Sequence, residues 1–107
     1  MTPPDGSAVP RAPLTPSQIV TALARLQGWT LSGDGAAVAI EKTFRFRNYH
    51  ETMAFVNAVA FIAHARDHHP ELRVLYDRCV VRFQTHDVQG ISAADFDGAA
   101  RVDGLLA

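Results

Sequence analysis

The stretch that decides the fold is residues 48–70, which read NYHETMAFVNAVAFIAHARDHHP. Apolar residues recur in it at helical spacing on more than one side: Met53, Val56, Ala60 and Ala63, beside Phe55, Val59 and Ile62. Pro70 cannot continue a helix, and a proline pushes the residue before it toward extended geometry. The sequence therefore predicts a long central helix from Asn48 to about Arg66, broadly apolar and mostly buried. His68 and His69 are expected on a constrained turn just past its end.

Alternating patterns predict strands on both sides of this helix. Before it, Trp29 begins a segment that runs through a Gly33-Asp34-Gly35 turn into a hairpin with one apolar face, carrying Val38, Ile40, Lys42, Phe44 and Phe46. After it, the segments from Leu72 to Tyr76 and from Arg78 to His86 alternate as well. One face of the last strand is expected to carry Cys79, Val81, Phe83 and Thr85, and the opposite, largely polar face carries His86.

Two shorter helices flank these elements. The first begins at Thr15-Pro16-Ser17-Gln18, which supplies a capping hydroxyl, a first-turn proline and a glutamine for a capping box, and Gly28 ends it. The last is capped by Ser92 and is expected to turn inward Phe96, Ala99, Val102 and Leu106. The predicted fold class is α+β, with a four-stranded antiparallel sheet and three helices on one of its faces, in the order α-β-β-α-β-β-α.

Length, composition and charge narrow the classes of function. The 107 residues fit one domain, predicted over 14–107 after a proline-rich disordered leader over 1–13 that has no features of a signal peptide or membrane anchor. The formal charge is -1 without clustered Lys or Arg, so neither direct nucleic-acid binding nor membrane binding is expected. Cys79 is the single cysteine, which excludes an intramolecular disulfide and suits a reducing cytoplasm.

Three of the five histidines fall near one turn and one strand end: His68, His69 and His86. Imidazole titrates near neutral pH, so clustered histidines indicate proton transfer or metal ligation.

An ordered set of motifs resembles the pterin-4a-carbinolamine dehydratase family over roughly residues 14–106. The motifs are Gly28-Trp29, Phe44 and Phe46, His68-His69-Pro70-Glu71, Tyr76, Thr85-His86-Asp87, Gly90-Ile91-Ser92 and Asp95-Phe96. The resemblance implies a homodimer or homotetramer without a metal or organic cofactor. It also implies a pterin substrate, 4a-hydroxytetrahydropterin, which such enzymes dehydrate to quinonoid dihydropterin during tetrahydrobiopterin recycling, and a functional link to phenylalanine hydroxylase.

The resemblance also implies roles for individual residues. His68 and His86 are the acid and base candidates, in either order, while His69 holds the pterin or shares the base role. Asp95 either sets the state or position of a histidine or simply begins the last helix, where an acid is favoured. The surface that borders the substrate is expected to comprise His68, His69, Pro70, Thr85, His86, Asp87, Val88 and Asp95.

Two positions depart from the family pattern. Many members carry Glu four residues before the first motif histidine and Trp after the Pro-Glu pair, where this chain has His64 and Leu72. His64 is a candidate accessory proton-transfer group, or a residue of the helix surface or core. If the central helix continues far enough, it lies one turn from His68. Leu72 removes an aromatic wall that would stack on a pterin.

Two other classes of function stay open. His68, His69 and His86 with a water would make a catalytic zinc site, although adjacent histidines on a turn rarely bind one ion. A non-catalytic dimerisation or regulatory module is the second class, because members of the family also act as dimerisation partners of a transcription factor. A role in molybdopterin metabolism is a further possibility.

Overall fold

Three helices and four antiparallel strands follow one another in the predicted order, so the expected fold class is confirmed. The computed structural model describes residues 9–107. The helices are α1 (Pro16–Leu23), α2 (Tyr49–Arg66) and α3 (Ala93–Gly104), and the strands are β1 (Thr30–Ser32), β2 (Ala39–Arg45), β3 (Glu71–Val74) and β4 (Arg78–Phe83). Two single 3₁₀ turns, Gly35–Ala37 and His86–Val88, lie in the loops. Among these helices, none is both long and apolar enough to span a bilayer.

The sheet buries one face against the helices. Its strand order is β1-β2-β4-β3, and the β2–β4 register places Ile40 opposite Phe83 and Phe44 opposite Cys79. These side chains form the core together with Trp29, Phe55, Val59, Val81, Ile91, Ala99 and Val102. Burial of this apolar surface is the main stabilising contribution.

Lys42 points to the same face as this core and is accommodated by an ion pair. Its Nζ lies 2.9 Å from Asp103 Oδ1, and Trp29 Nε1 donates to the other oxygen of Asp103 at 3.0 Å. The long apolar stem of a lysine packs in the core while its charged end reaches a partner near the surface. This ion pair links the end of α3 to β2.

The central helix begins and ends where the sequence predicts. The Asn48 side chain accepts a hydrogen bond from the Glu51 N–H at 2.9 Å, and Asp67 ends the helix in the left-handed conformation with φ 51°. The prediction that α2 is mostly buried is wrong. Its buried residues are Thr52, Phe55, Val59 and Ala63, whereas Phe61 on the outer side is 77% exposed. Only one side of α2 packs on the sheet, so the apolar residues on its other side stay uncovered in the monomer.

The alternation predicted after Arg78 holds through Thr85, but the strand is shorter than predicted. β4 ends at Phe83, and Thr85 pairs with Gly90 in an isolated bridge, where the Thr85 N–H donates to the Gly90 carbonyl at 2.9 Å. This short-range pairing folds the intervening residues into the second 3₁₀ turn. His86 therefore begins that turn instead of lying on a strand.

The two flanking helices begin at the predicted N-caps, but α1 ends at Leu23, before the predicted end at Gly28. Thr15 with Gln18 and Ser92 with Asp95 each form a reciprocal capping box. Leu106 was expected inside, but it lies beyond the end of α3 and is exposed.

Positions 1–8 of the leader predicted over residues 1–13 lie outside the described residues. In the described part of the leader, Arg11 donates to the Asp67 carbonyl at 2.7 Å. At the start of the predicted domain, the Leu14 N–H donates to the Ile91 carbonyl at 2.8 Å. The chain therefore contacts the domain before α1 begins.

Candidate active site

A small cavity of about 170 Å³ opens where the end of α2 meets the loop after β4. It is lined by Arg11, Asp67, His68, His69, Gln84, Thr85, His86 and Asp87. The fold thus brings together the three predicted histidines from two distant segments of the chain.

The turn after α2 fixes His68 between backbone and side-chain contacts. Its N–H donates to the Ala63 carbonyl at 3.1 Å, which continues the hydrogen bonding of the helix end past the left-handed residue. Its ring stacks on Phe83, with centroids 5.8 Å apart and an interplanar angle of 14°. His68 is only 9% exposed, although it lines the cavity.

Behind His68 lies a buried carboxylate. His68 Nε2 is 2.6 Å from Asp95 Oδ1, and Asp95 has no exposed surface. The other oxygen of Asp95 accepts from the Ser92 N–H at 2.9 Å and from the Thr85 hydroxyl at 2.8 Å. Asp95 therefore serves both of the roles that the sequence offered as alternatives, since it caps α3 and contacts a histidine.

The hydroxyls of Thr85 and Ser92 complete this network. They lie 2.6 Å apart, and Ser92 Oγ also accepts from the Ala94 N–H at 3.2 Å. Because Thr85 gives its proton to Asp95, the proton between the two hydroxyls comes from Ser92. Every side-chain nitrogen or oxygen that is fully shielded from solvent among residues 9–107 has a partner. A fully satisfied buried network of this kind holds its members in one arrangement.

The network selects one tautomer of His68. A carboxylate oxygen accepts hydrogen bonds, so the proton of the neutral imidazole lies on Nε2, where it is donated to Asp95. Nδ1 is then the unprotonated nitrogen, and it has no hydrogen-bond partner in the described part of the chain. In this neutral form, Nδ1 is the ring nitrogen that can accept a proton.

The other two histidines differ from His68 in exposure. His69 and His86 are exposed, and neither ring forms a hydrogen bond to another described residue. Asp87 is exposed beside them. The cavity therefore presents one held imidazole and two that are accessible to solvent.

Four predicted site residues do not line the cavity. Pro70 and Val88 are half-buried outside it, and Asp95 is separated from it by His68. His64 lies on the exposed side of α2. Because the helix ends at Arg66, His64 and His68 do not share a helical face, so the premise for pairing them is wrong.

Three residues of the cavity were not singled out from the sequence. They are Arg11, Asp67 and Gln84. Asp67 and Gln84 are neighbours of the histidine motifs, and this proximity was the available signal. Arg11 lies in the proline-rich segment, and nothing in its surroundings in the sequence indicates a site.

Within residues 9–107, no group of three or more His, Cys, Asp or Glu side chains is arranged to hold a metal ion.

A second cavity of about 660 Å³ lies between the end of α1, β2 and the end of α3, and it contains none of the histidines. The smaller cavity is the candidate active site because the groups capable of proton transfer converge there.

Comparison with protein families gives the class of protein. The family model described as pterin 4 alpha carbinolamine dehydratase matches residues 12–105, which is nearly the whole chain. The chain therefore belongs to the pterin-4a-carbinolamine dehydratase family.

Two curated relatives have the same provisional name, pterin-4-alpha-carbinolamine dehydratase. The relative from Paracidovorax citrulli is 70% identical over 103 residues, covering 96% of this chain and 89% of its own. The relative from Bdellovibrio bacteriovorus is 53% identical over 96 residues, covering 86% and 77%.

Solved structures agree on the fold and differ in the roles that they are given. A transcriptional coactivator/pterin dehydratase from Brucella melitensis is similar with a TM-score of 0.83 and 29% identity, over 90% of this chain and all of that one. A pterin dehydratase-like protein, described as a RuBisCO assembly factor in the alpha-carboxysome, has a TM-score of 0.62 and 25% identity, over 74% and 89%.

Proposed function

We propose that this protein dehydrates 4a-hydroxytetrahydropterin to quinonoid dihydropterin and water by histidine acid-base catalysis. The observation that carries the proposal is the convergence of His69 and His86 with the Asp95-held His68 in one cavity. The family match supports the substrate class.

The reaction needs two proton transfers. A base removes the proton from N5, the nitrogen lone pair forms the C4a=N5 double bond, and the C4a–O bond breaks. An acid protonates the departing hydroxyl, which leaves as water. Each positioned acid or base typically contributes about 10²- to 10⁴-fold to the rate.

The hydrogen bonding of His68 favours a particular assignment of roles. His68 offers an unprotonated Nδ1, so it is the proposed base for the N5 proton, and Asp95 stabilises the imidazolium that forms. His86 is the proposed acid for the leaving hydroxyl, because it is free to exchange protons with solvent between turnovers. His69 is proposed to hold the pterin ring. It is also the alternative candidate for the base that acts together with His86 as the acid.

The size of the cavity bears on the substrate. Its volume of about 170 Å³ is below the roughly 300 Å³ at which typical small-molecule pockets begin. We expect it to take the edge of the bicyclic ring that carries C4a and N5, with the side chain of the pterin projecting outward. Such a site would accept pterins with different side chains, biopterin among them.

The physiological setting belongs to the same proposal. Tetrahydrobiopterin recycling beside phenylalanine hydroxylase, in a reducing cytoplasm and as a homodimer or homotetramer, is the setting that the family resemblance implies. The exposed apolar outer side of α2 is compatible with such an assembly, since a helix that is apolar on all sides is usually covered.

The test follows the ultraviolet decay of the 4a-carbinolamine generated by a phenylalanine hydroxylase. Metal-free parent protein is expected to accelerate the decay, and His86→Ala should lose most of the acceleration. His50→Ala is the matched control, because His50 is exposed on α2 and does not line the cavity. Decay at the spontaneous rate with parent protein would refute the proposal.

A second candidate is a non-catalytic binding module of the same fold. It is favoured by the exposed Phe61 on α2 and by the coactivator and assembly-factor descriptions of the two solved neighbours. A related role in molybdopterin metabolism would use the same cavity. Two results together would favour the module. The parent protein would leave the carbinolamine to decay at its spontaneous rate, and binding of a partner protein would persist in His86→Ala but be lost in Phe61→Ala.

A further inference from the structure

Arg11 is the one arginine or lysine side chain among the described residues that lines the histidine cavity. Its Nη2 donates to the Asp67 carbonyl at 2.7 Å and to the Arg66 carbonyl at 3.3 Å. Arg11 lies one position before the region that the family model matches, which begins at residue 12.

The contact falls at a point where the backbone needs a partner. The last carbonyls of a helix lack intrahelical donors and form the negative end of its dipole, so a cation is favoured there. At this end of α2, Asp67 turns the chain in a left-handed conformation with φ 51°. The turn is held by two contacts: the His68 N–H donates to the Ala63 carbonyl, and Arg11 donates to the Asp67 carbonyl.

The residue that depends most on this anchoring is His69. His68 is also held by Asp95 and by stacking on Phe83. His69 has no side-chain hydrogen bond to another described residue, so its direction is set by the backbone from which it leaves. That backbone is the turn that Arg11 binds.

We infer that Arg11 is a positioning residue that fixes the turn from Asp67 to His69 and thereby places His69 against the substrate. This inference rests on the proposed function, since it assigns His69 the task of holding the pterin ring. A general stabilising contact would behave differently, because it would lower the stability of the whole domain without affecting substrate binding selectively.

The experiment compares Arg11→Met, Arg11→Lys and the control Arg25→Met. Methionine keeps an unbranched stem without charge or donors, whereas lysine keeps the charge and reaches one carbonyl. Arg25 is an exposed arginine near α1 whose side chain does not line the histidine cavity. The measurements are amide hydrogen exchange at Asp67 and His68, the urea midpoint, and the kcat and KM of carbinolamine dehydration.

In Arg11→Met we expect exchange at Asp67 and His68 to accelerate roughly two- to tenfold, as loss of one hydrogen-bonded anchor implies. KM should rise about three- to tenfold with kcat within twofold of the parent, because a ground-state contact is weakened. Arg11→Lys should recover part of both effects, and Arg25→Met should match the parent in each measurement.

Two results would overturn the inference. One is exchange at Asp67 and His68 that is equal in Arg11→Met and Arg25→Met. The other is faster exchange with an unchanged KM in an active enzyme. If the parent does not dehydrate the carbinolamine, the proposed function fails, and exchange alone then decides whether Arg11 holds the turn.

Discussion

Asp95 Oδ1 lies 2.6 Å from His68 Nε2, although 27 positions separate the two residues in the sequence. The same carboxylate caps α3 through its other oxygen. The orientation of the imidazole is therefore coupled to the start of a helix that packs in the core. A change at Asp95 is therefore expected to affect both the position of the His68 ring and the start of α3.

Asp95→Asn should impair both activity and stability. The substitution replaces one carboxylate oxygen with an NH₂ group. At the Oδ2 position this donor faces the Ser92 N–H, and at the Oδ1 position it faces the protonated Nε2 of the His68 tautomer described above. We expect kcat/KM to fall about 10²- to 10⁴-fold and the free energy of unfolding to fall by about 1–3 kcal/mol. Carbinolamine kinetics and urea denaturation measure the two effects. Asp77→Asn, on the surface, is the control, and parental kcat/KM in Asp95→Asn would contradict the assignment.

Thr85 should act through its hydroxyl, since only 2% of its surface is exposed. Thr85→Val keeps the shape but removes the donor to Asp95 and the partner of Ser92. The free energy of unfolding should fall by about 1–3 kcal/mol, whereas Thr85→Ser should retain most of it because the hydroxyl remains. Urea midpoints of the two variants decide the matter. Equal losses in both would show that the methyl group matters more than the hydrogen bonds.

Gly98 in α3 should not tolerate a side chain. A Cβ there would lie 2.6 Å from Phe83 Cε1, and Phe83 stacks on the His68 ring. Gly98→Ala should destabilise the fold by about 1–3 kcal/mol and also lower kcat, because the displaced ring moves the histidine.

Gly104→Ala provides the matched control in the same helix. Nothing lies within 4 Å of a Cβ at Gly104. The free energy of unfolding of the Gly104→Ala protein should therefore stay the same or rise by up to about 1 kcal/mol. Thermal unfolding and kcat of both variants provide the comparison. A Gly98→Ala protein as stable and active as the Gly104→Ala protein would disprove the packing argument.

Cys79 should be unreactive in the folded protein. Burial raises the pKa of its thiol, so less of the reactive thiolate is present at any given pH. Alkylation by iodoacetamide at pH 8 should be at least about tenfold slower in the native state than in urea, since the side chain is also inaccessible. Mass spectrometry of timed samples follows the reaction. Comparable rates in the two states would mean that β4 opens readily.

Most of the fold was determined by local signals in the sequence. The helical spacing between Asn48 and Arg66, the caps at Thr15 and Ser92, and the alternation that follows Arg78 each depend on neighbouring residues. Such signals predict the elements and their order. They do not report which side of a helix lacks a partner, and for this reason the exposure of Phe61 was not foreseen.

The candidate site was predictable only in part. The histidines could be selected because imidazole chemistry is specific and their motifs are short. The contacts among them are long-range, and the sequence left two readings of Asp95 as alternatives, whereas the carboxylate performs both with different oxygens. Arg11 contacts Asp67 across 56 positions, and no local pattern encodes such a pair.

By itself, then, the sequence determined the α+β order, the turn at Pro70 and the histidines capable of proton transfer, because propensity, capping and side-chain chemistry are local properties. Only the tertiary structure decided that Asp95 orients His68, that His64 stands apart from the cavity and that Arg11 belongs to it. The reason is physical: burial and hydrogen-bond pairing depend on which distant segments the packed core brings within 3 Å of one another.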